Sequence, residues 1–330
     1  MAEYREIQGA AVQSRASSTG AIEGQIWYDT ANYKFKLNTV TSSATWATGG
    51  VLNTGRASMF TGAVGTKDAG LAAGGSTPSK SNATEHYNGT AWTSVNNVNV
   101  SLSSRGSAGT QGAALLFGGN PTPATVTTTS EYDGTNWSTS PGSLNNARGY
   151  GPICAGTQTA ALAGGGYNPP VTFVTAVEYY NGSCWAVQPN TNPNNYAGQS
   201  GGTQGAAWFV GAGGVGASGN TEAYNWNGTS WTASGNYNDT TRVNFAGGGP
   251  QTAAFIAGGD RDPGMKTNTE TYDGTCWATI TNISTARTYG CTAGDSSSGF
   301  IAGGNTPSIS TATEELTGAG AVTNKILTTS

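Results

Sequence analysis

A single histidine, His86, limits the chemistry that this chain of 330 residues can perform. Metal sites built from several histidines are excluded, and a Ser-His-Asp arrangement has only one imidazole on which to draw. His86 lies between Glu85 and Tyr87 in a segment that recurs along the chain. Other copies carry unrelated residues at that position, namely Tyr179, Ala223 and Thr271. We therefore predict that His86 is an ordinary hairpin residue.

Carboxylates are the other groups that support catalysis or bind metals. Asp133 and Asp273 lie in Tyr-Asp-Gly-Thr-x-Trp units, where Asp-Gly is typical of a turn, so hydrolysis by paired carboxylates is a weak hypothesis. Asp260 and Asp262 offer oxygen ligands for Ca²⁺, although two carboxylates in a turn are more often solvated. The sequence thus predicts no enzyme, no metal site and no cofactor.

Glutamate and arginine recur at regular places in a chain in which only 10% of residues are charged. The glutamates are Glu85, Glu131, Glu178, Glu222, Glu270 and Glu314. The arginines, each 10 to 13 residues after a tryptophan, are Arg56, Arg105, Arg148, Arg242 and Arg287, and one copy has Asn195-Tyr196 instead. Because buried charges need partners, we expect these residues to pair with each other or with backbone groups. A ring of charges around a functional channel is the alternative.

The elements that position these residues are set by an internal repeat. An apolar block, GTQGAALLFGG at Gly109–Gly119, recurs at intervals of 44 to 47 residues. Its copies start at Gly65, Gly109, Gly156, Gly202, Gly249 and Gly294. A second block follows each one and ends at a tryptophan, in turn Trp92, Trp137, Trp185, Trp231 and Trp277, but the sixth copy has lost its Tyr and Trp. Six copies of this length predict the four-stranded antiparallel blades of an all-β propeller.

Each repeat contains two kinds of strand. The run Ala113–Phe117 does not alternate, which is typical of a strand buried on both faces between neighbouring blades. The second block carries Asn-Gly or Asp-Gly, which predicts a hairpin with a two-residue turn. That register places Tyr87 opposite Thr90 and Glu85 opposite Trp92. In the fourth copy, the extra residues Asn225-Trp226 predict a bulge.

The two ends of the chain lie outside the six copies. Residues 1–24 lack a period and are interpreted as an attachment segment, and residues 25–330 as the propeller. Trp46 is 46 residues before Trp92, in phase with the repeat, so residues 25–48 resemble part of a seventh blade that precedes the six repeats of residues 49–330. Residues 321–327 would supply its missing strand, so that N- and C-terminal strands close the ring. We favour seven blades over six; with six, residues 25–48 form an attachment hairpin.

Charge and hydropathy exclude several classes of partner. The net charge is −4 and no basic run occurs, so we expect no nucleic-acid partner. No run of 18 apolar residues occurs, so we expect no membrane insertion. The first 15 residues carry charges where a signal peptide needs an apolar core, so we expect none.

The repeat resembles a known family. The succession of Gly-Gly, Tyr and Trp over residues 49–316 resembles kelch-type propeller repeats. Its particular form, GTQTAALAGG followed by TExYNGTxW and then Ala-Arg, is similar to kelch-like proteins of marine bacteriophages, and GQIWYDTANYKFKL resembles a motif near the N-termini of phage tail and fibre proteins. The resemblance implies a non-enzymatic tail-fibre, tail-tip or capsid-surface protein, made in the host cytoplasm and located in the virion. It also implies other virion proteins as partners through the N-terminal segment, and leaves a homo-oligomer open.

The segments that join the Gly pair to the glutamate strand vary most between copies. Propellers carry function in such loops on a rigid frame. The least repeat-like groups are Tyr167, Asn168, Phe173, Asp260, Arg261, Asp262 and Lys266. Aromatic and amide groups beside aspartate suit carbohydrate, so a lectin-like host-receptor module is the alternative function. Loop variation without any ligand is the simpler explanation.

Overall fold

A computed structural model describes residues 13–15, 26–30, 33–40, 43–59, 63–120, 125–168, 172–191, 198–211, 220–239, 241–261, 264–318 and 322–326. The chain divides into two compact units, residues 45–317 and residues 1–44 with 318–330. Each unit is described by itself. Within the described residues, no helix has the length and apolar character needed to cross a membrane.

The smaller unit contains one four-stranded sheet. Its strands, in sheet order, are Gln13–Arg15, Ile26–Asp29, Lys34–Val40 and Val322–Ile326. The first pair is parallel and the other two pairs are antiparallel. Tyr28 and Phe35 pack on each other with ring centroids 5.1 Å apart.

The larger unit is a β-propeller of six four-stranded antiparallel blades. In blades 1 to 6 the first strands are Gly65–Thr66, Gly106–Thr110, Gly149–Thr157, Gln199–Thr203, Ala246–Gly248 and Cys291–Gly294. The second strands are Ala69–Ala73, Ala113–Phe117, Ala160–Asn168, Ala206–Val210, Ala254–Ala257 and Ser298–Ala302. The third strands are Thr84–Tyr87, Thr129–Tyr132, Ala176–Tyr180, Ala223–Trp226, Thr269–Tyr272 and Thr313–Thr317. The fourth strands are Trp92–Val95, Trp137–Thr139, Trp185–Thr191, Trp231–Ser234, Trp277–Ile280 and, for blade 6, Thr45–Thr48.

Short strands decorate the loops between second and third strands. In blade 3, Thr172–Phe173 pairs with the end of the second strand. Two-stranded hairpins occur in blades 1, 5 and 6, formed by Ser76–Thr77 with Ser79–Lys80, Asp260–Arg261 with Gly264–Met265, and Asn305–Thr306 with Ser308–Ile309.

The core lies between blades. First strands of successive blades contact each other around the axis, and the second strands behind them are buried. Phe300 of blade 6 packs on Tyr87 and Trp92 of blade 1, with ring centroids 5.3 and 5.5 Å apart. A Cβ on Gly70 would lie 2.3 Å from the Phe300 ring, so small residues on one blade make room for large ones on the next. Each such buried large apolar side chain contributes about 1.5–3 kcal/mol.

The prediction of seven blades closed by N- and C-terminal strands is wrong. Residues 26–29 and 34–40, taken from the expected seventh blade, pair with Val322–Ile326 in the separate sheet of the smaller unit. Trp46 instead belongs to blade 6, where it pairs with Leu316. Trp46 therefore supplies the repeat tryptophan that the sixth copy lacks.

The predicted two-residue hairpin turns are also wrong. Trp92 pairs directly with Tyr87, which leaves a four-residue loop, Asn88–Ala91. The side-chain oxygen of Asn88 accepts hydrogen bonds from the backbone N–H of Thr90 (3.0 Å) and Ala91 (2.8 Å), and this Asx geometry competes with a tight turn. In blade 4 the pairing from Ala223 to Trp226 is continuous, so the expected bulge is absent from that strand.

Candidate functional site

The repeat-locked charges form buried ion pairs beneath the loops. The pairs are Arg148–Glu178 (2.5 Å), Arg287–Glu314 (2.8 Å), Arg56–Glu85 (2.9 Å) and the longer Arg242–Glu270 (3.8 Å). Arg148 also donates to the carbonyls of Gly165 and Ala176, which flank the variable loop of its blade. Burial raises the pKa of Glu178, but Arg148 and the N–H of Asn145 outweigh it and hold that pKa below its usual value. The ion pairs therefore fasten the base of the loop in blades 1, 3, 5 and 6.

Three of the predicted repeat charges occupy other places. The ion-pairing glutamate lies two residues before the aromatic residue that pairs with the repeat tryptophan, as Glu85 lies before Tyr87. In blades 2 and 4 that position is held by Ser130, two residues before Tyr132, and by Tyr224, two residues before Trp226. Glu131 therefore lies one residue after this position, and Glu222 two residues before it. In blade 3 the carbonyl of Arg148 accepts a hydrogen bond from the N–H of Gly119, and in blade 2 the carbonyl of Leu102 accepts the equivalent bond from the N–H of Gly75. Leu102 thus holds the arginine place. Arg105 enters from a different backbone position and donates to Leu116 O (2.9 Å) and Ser130 Oγ (3.1 Å).

In each blade we call the position between those of Glu85 and Tyr87 the slot. The residue in the slot contacts the aromatic residue that the next blade carries at the position of Tyr87. Tyr132 of blade 2 contacts His86 of blade 1 at 3.0 Å. The other slot contacts are Tyr87 with Glu315, Tyr180 with Glu131, Trp226 with Tyr179 (2.7 Å) and Tyr272 with Asn225 (2.9 Å). Burial lowers the pKa of His86. The histidine thus serves an interblade contact, and its slot aligns with Asn225 in blade 4, not with Ala223.

Three of the repeat tryptophans donate to threonines on the preceding blade. The indole N–H of Trp92, Trp137 and Trp185 reaches the hydroxyls of Thr313 (2.9 Å), Thr84 (3.1 Å) and Thr129 (2.9 Å). The corresponding residues facing Trp231 and Trp277 are Val177 and Ala223, which have no acceptor. The indole N–H groups of Trp46, Trp231 and Trp277 have no hydrogen-bond partner in the described structure.

A glutamine in the turn between first and second strands joins neighbouring blades. Gln158 Nε2 donates to Ala114 O (3.1 Å) and Tyr132 O (2.6 Å) of blade 2. Gln111, Gln204 and Gln251 make the equivalent pair of bonds in their blades. Blade 1 has Lys67 here, whose Nζ lies 3.5 Å from Glu315 of blade 6. Sequence reasoning included these glutamines in the repeat but missed their role.

One end of the axis is lined by backbone. Turns from all six blades enclose a cavity of about 230 Å³. Each blade places one glycine of positive φ there, in turn Gly65, Gly109, Gly156, Gly202, Gly249 and Gly294. At Gly65, for example, a Cβ would meet the carbonyl of Ala69 at 2.0 Å. The repeated glycine is therefore required by the tight turn.

The opposite end carries the variable loops around a set of strained residues that we call the rim. The rim residues are Ser58, Ser104, Tyr150, Asn244 and Tyr289, all of positive φ between 51° and 58°. In blades 1, 2, 5 and 6 the residue before each rim residue forms a bridge with the first residue of its blade's loop. Left-handed backbone in non-glycine residues costs energy and clusters at functional sites.

Backbone hydrogen bonds link the rim across blades. The N–H of Tyr289 donates to Asn244 O (2.9 Å), that of Ser58 to Tyr289 O (3.0 Å) and that of Ser104 to Ser58 O (2.7 Å). These bonds fix the backbone and leave the hydroxyl, phenol and amide side chains half-buried or exposed at the loop end. Sequence reasoning missed the rim because its residue type changes from blade to blade.

Three of the predicted site residues lie together in blade 3. Tyr167 and Phe173 have ring centroids 5.9 Å apart, and Asn168 pairs with Thr172. Tyr150 of the rim packs on Tyr167 at 5.9 Å, and Asn120 of blade 2 donates its amide to the Tyr150 hydroxyl. Tyr150 and Asn120 were not predicted. The longer spacing from Arg148 to Gly156, eight residues against seven in blades 5 and 6, was the available signal.

The remaining predicted site residues belong to blade 5. Asp260 and Arg261 form one side of a short hairpin, and Asp260 accepts a hydrogen bond from Asn244 of the rim (3.3 Å). The backbone N–H of Lys266 donates to Gly259 O. Asp262 lies outside the described residues, as does Asn195-Tyr196. In the part of the chain that is described, no three His, Cys, Asp or Glu side chains form a metal-binding group.

The fold defines this chain as a six-bladed β-propeller, with side chains presented on one end. Among solved structures 215 chains match, and one of them is a structure of YjhT. YjhT is 14% identical, with a TM-score of 0.64, over 84% of this chain and 99% of that one, which shows the shared fold alone. No family model matches the chain. No curated protein matches it either.

Proposed function

We propose that this protein is a non-enzymatic structural component of a bacteriophage particle, a tail-fibre, tail-tip or capsid-surface protein whose propeller serves adsorption. The observation that carries the proposal is that the single histidine and the recurring glutamates and arginines take part in contacts of the frame. His86 contacts Tyr132, and the paired glutamates and arginines fasten loops. Groups committed in this way hold a scaffold, and the side chains around the rim vary from blade to blade at the loop end.

The particle setting rests on sequence resemblance. The kelch-like repeat form and the segment GQIWYDTANYKFKL resemble phage proteins. That segment contributes Ile26–Asp29 and the first four residues of Lys34–Val40 to the smaller unit. We assign this unit to attachment to other virion proteins. Exposed Tyr33 and Phe35 in this hairpin supply apolar surface for that contact.

Particle composition tests the proposal. Mass spectrometry of gradient-purified virions should detect this chain at a constant ratio to the major capsid protein, and antibody labelling should locate it on the particle. An abundant host protein serves as the contamination control. Absence from purified particles would sink the proposal.

Carbohydrate recognition by the loop end is the second candidate, and the contact of Tyr150 with Tyr167 and Phe173 favours it. Aromatic faces with nearby amides are suited to sugars, whose C–H faces pack on rings while hydroxyls hydrogen-bond. The double variant Tyr167→Ala, Asp260→Ala should lose binding on a glycan array or to host cells. Absence of binding by the intact protein counts against this candidate. Hydrolysis is the least supported function, and glycoside turnover by the intact protein would revive it.

A further inference from the structure

Blade 3 departs from the other blades where it reaches the rim. Its first and second strands, Gly149–Thr157 and Ala160–Asn168, have nine residues each, whereas those of blade 2 have five. The register shifts between Gly149 and Pro152, so a bulge contains Tyr150. Bulges redirect side chains and recur beside functional sites. The long hairpin and its bulge therefore place Tyr150 and Tyr167 at the loop end.

The two tyrosines and Phe173 form a continuous aromatic surface. Tyr150 and Tyr167 meet at 65° with centroids 5.9 Å apart, and Tyr167 and Phe173 meet at 53° at the same distance. All three side chains are half-buried, so each ring is held in place by packing yet retains solvent-accessible area. The backbone pairing of Phe173 with Tyr167 places these two side chains side by side on neighbouring strands.

Polar groups surround this surface. The amide of Asn120, which is 6% exposed, donates to the Tyr150 hydroxyl, and the Thr125 hydroxyl donates to the side-chain oxygen of Asn168. A cleft of about 400 Å³ adjoins the aromatic surface and is lined by Asn145, Asn146, Asn168 and Phe173, among others. This volume falls within the range of small-molecule sites.

The region is uncharged. Residues 120–128 and 149–177 contain no Asp, Glu, Lys, Arg or His. The flanking charges, Arg148 and Glu178, are buried and paired with each other. A site without charge offers no attraction to anionic sugars or nucleic acid, whereas phenol and amide groups match hydroxyl groups.

We propose that Tyr150, Tyr167, Phe173 and Asn168 form a subsite for a neutral hexopyranose, with the sugar's C–H face on the tyrosines and its hydroxyls toward the Asn168 amide. The buried Asn120 positions the Tyr150 hydroxyl. This subsite deepens the second candidate function and rests on it. Tyr289 provides a matched control, because it holds the same rim position in blade 6 and is 38% exposed.

The test is saturation-transfer NMR of the full chain with D-glucose, D-galactose and D-mannose, and with N-acetylneuraminic acid as the anionic comparison. We expect a neutral hexose to bind, Tyr167→Ala to weaken that binding at least about tenfold, and Tyr150→Phe to weaken it about three- to tenfold. Tyr289→Ala should leave it unchanged. Thermal unfolding of each variant checks the fold. If Tyr167→Ala unfolds, Tyr167→Leu, which keeps apolar bulk but removes the aromatic ring, replaces it with the same expected loss of binding.

The outcomes separate the subsite from the functions on which it depends. Hexose binding that survives in the Tyr150 and Tyr167 variants, or that is lost in Tyr289→Ala, overturns the subsite and leaves carbohydrate recognition standing. Preferred binding of N-acetylneuraminic acid also overturns it. No binding of the intact protein to these sugars or to a glycan array overturns both, while the particle proposal is decided independently by virion composition.

Discussion

The hydroxyl of Tyr132 lies 3.0 Å from Nε2 of His86, and the two rings meet edge to face with centroids 5.5 Å apart. This contact crosses from blade 2 to blade 1. The equivalent contact pairs tyrosine with glutamate at two other boundaries and with asparagine at another. The residue that meets the aromatic side chain therefore varies between boundaries, with glutamate at two of them, while the contact itself recurs and joins neighbouring blades.

The His86 slot should make stability depend on pH. Burial lowers the pKa of His86 below its usual 6.5, so the unfolded chain binds this proton more readily than the folded one. Titration of His86 therefore leaves the free energy of unfolding unchanged well above pH 6.5 and lowers it as the pH falls through 6.5. His86→Gln should reduce the difference in free energy of unfolding between about pH 7.5 and about pH 5.5, measured with urea. Tyr132→Phe keeps the imidazole and should keep the difference; equal pH dependence in wild type and His86→Gln contradicts the prediction.

The hydrogen bonds from repeat tryptophans to the preceding blade predict two opposite effects on stability. Thr129→Val removes the acceptor of the Trp185 indole and should cost about 1–3 kcal/mol, because a buried donor is left unsatisfied. Val177→Thr supplies a hydroxyl on the blade that faces Trp231, whose indole N–H lacks a partner, and should add about 0.5–1.5 kcal/mol. Urea unfolding measures both variants. Destabilisation by Val177→Thr would contradict this account of the tryptophan hydrogen bonds.

The buried ion pair of blade 3 should be strongly non-additive. Arg148→Leu leaves the buried Glu178 carboxylate without its counter-ion and should cost about 3–5 kcal/mol. Blade 2 carries Leu102 and Ser130 at these two places. The double variant Arg148→Leu, Glu178→Ser leaves no lone charge, and it should cost less than the sum of the single variants by more than about 1 kcal/mol. Additive losses in a double-mutant cycle would show that the two side chains act independently.

The glutamine contacts between blades predict a contrast with lysine. Gln158→Ala removes two hydrogen bonds to blade 2 and should cost about 1–3 kcal/mol. Lys67→Ala, at the same place in blade 1, removes a partly exposed ion pair with Glu315 and should cost less than about 1 kcal/mol. Thermal and urea unfolding compare the two, and equal losses would contradict the assignment.

Features carried by residue identity were predictable from the sequence. The repeated Glu and Arg, the doubly buried strand and the four-stranded antiparallel blades follow from residues that recur in each copy. The blade count failed because residues 25–40 have a strand-like pattern but none of the repeat residues, while Trp46 alone kept the phase. Trp46 marked a strand that belongs to blade 6, but residues 25–40 were assigned with it to a seventh blade.

Features carried by complementarity were not predictable. The slot holds His86, Glu131, Tyr179 and Asn225 in successive blades, so no residue type marks it. The rim likewise changes from Ser58 to Tyr150 to Asn244, because what recurs there is a left-handed backbone. The loop residues Tyr167 and Phe173 stood out as unlike the repeat, but their partner Tyr150 lies 17 positions before Tyr167 and is brought close only by the long hairpin.

The fourth strand of blade 6 has a consequence for synthesis. Thr45–Thr48 pairs with Thr313–Thr317, so the first strand of the propeller to leave the ribosome waits for the last. Blades 1 to 5 are each assembled from consecutive segments, and their local pairing proceeds as the chain emerges. Blade 6 cannot form until Thr313–Thr317 has been translated, and Trp46 remains without its partner strand until then.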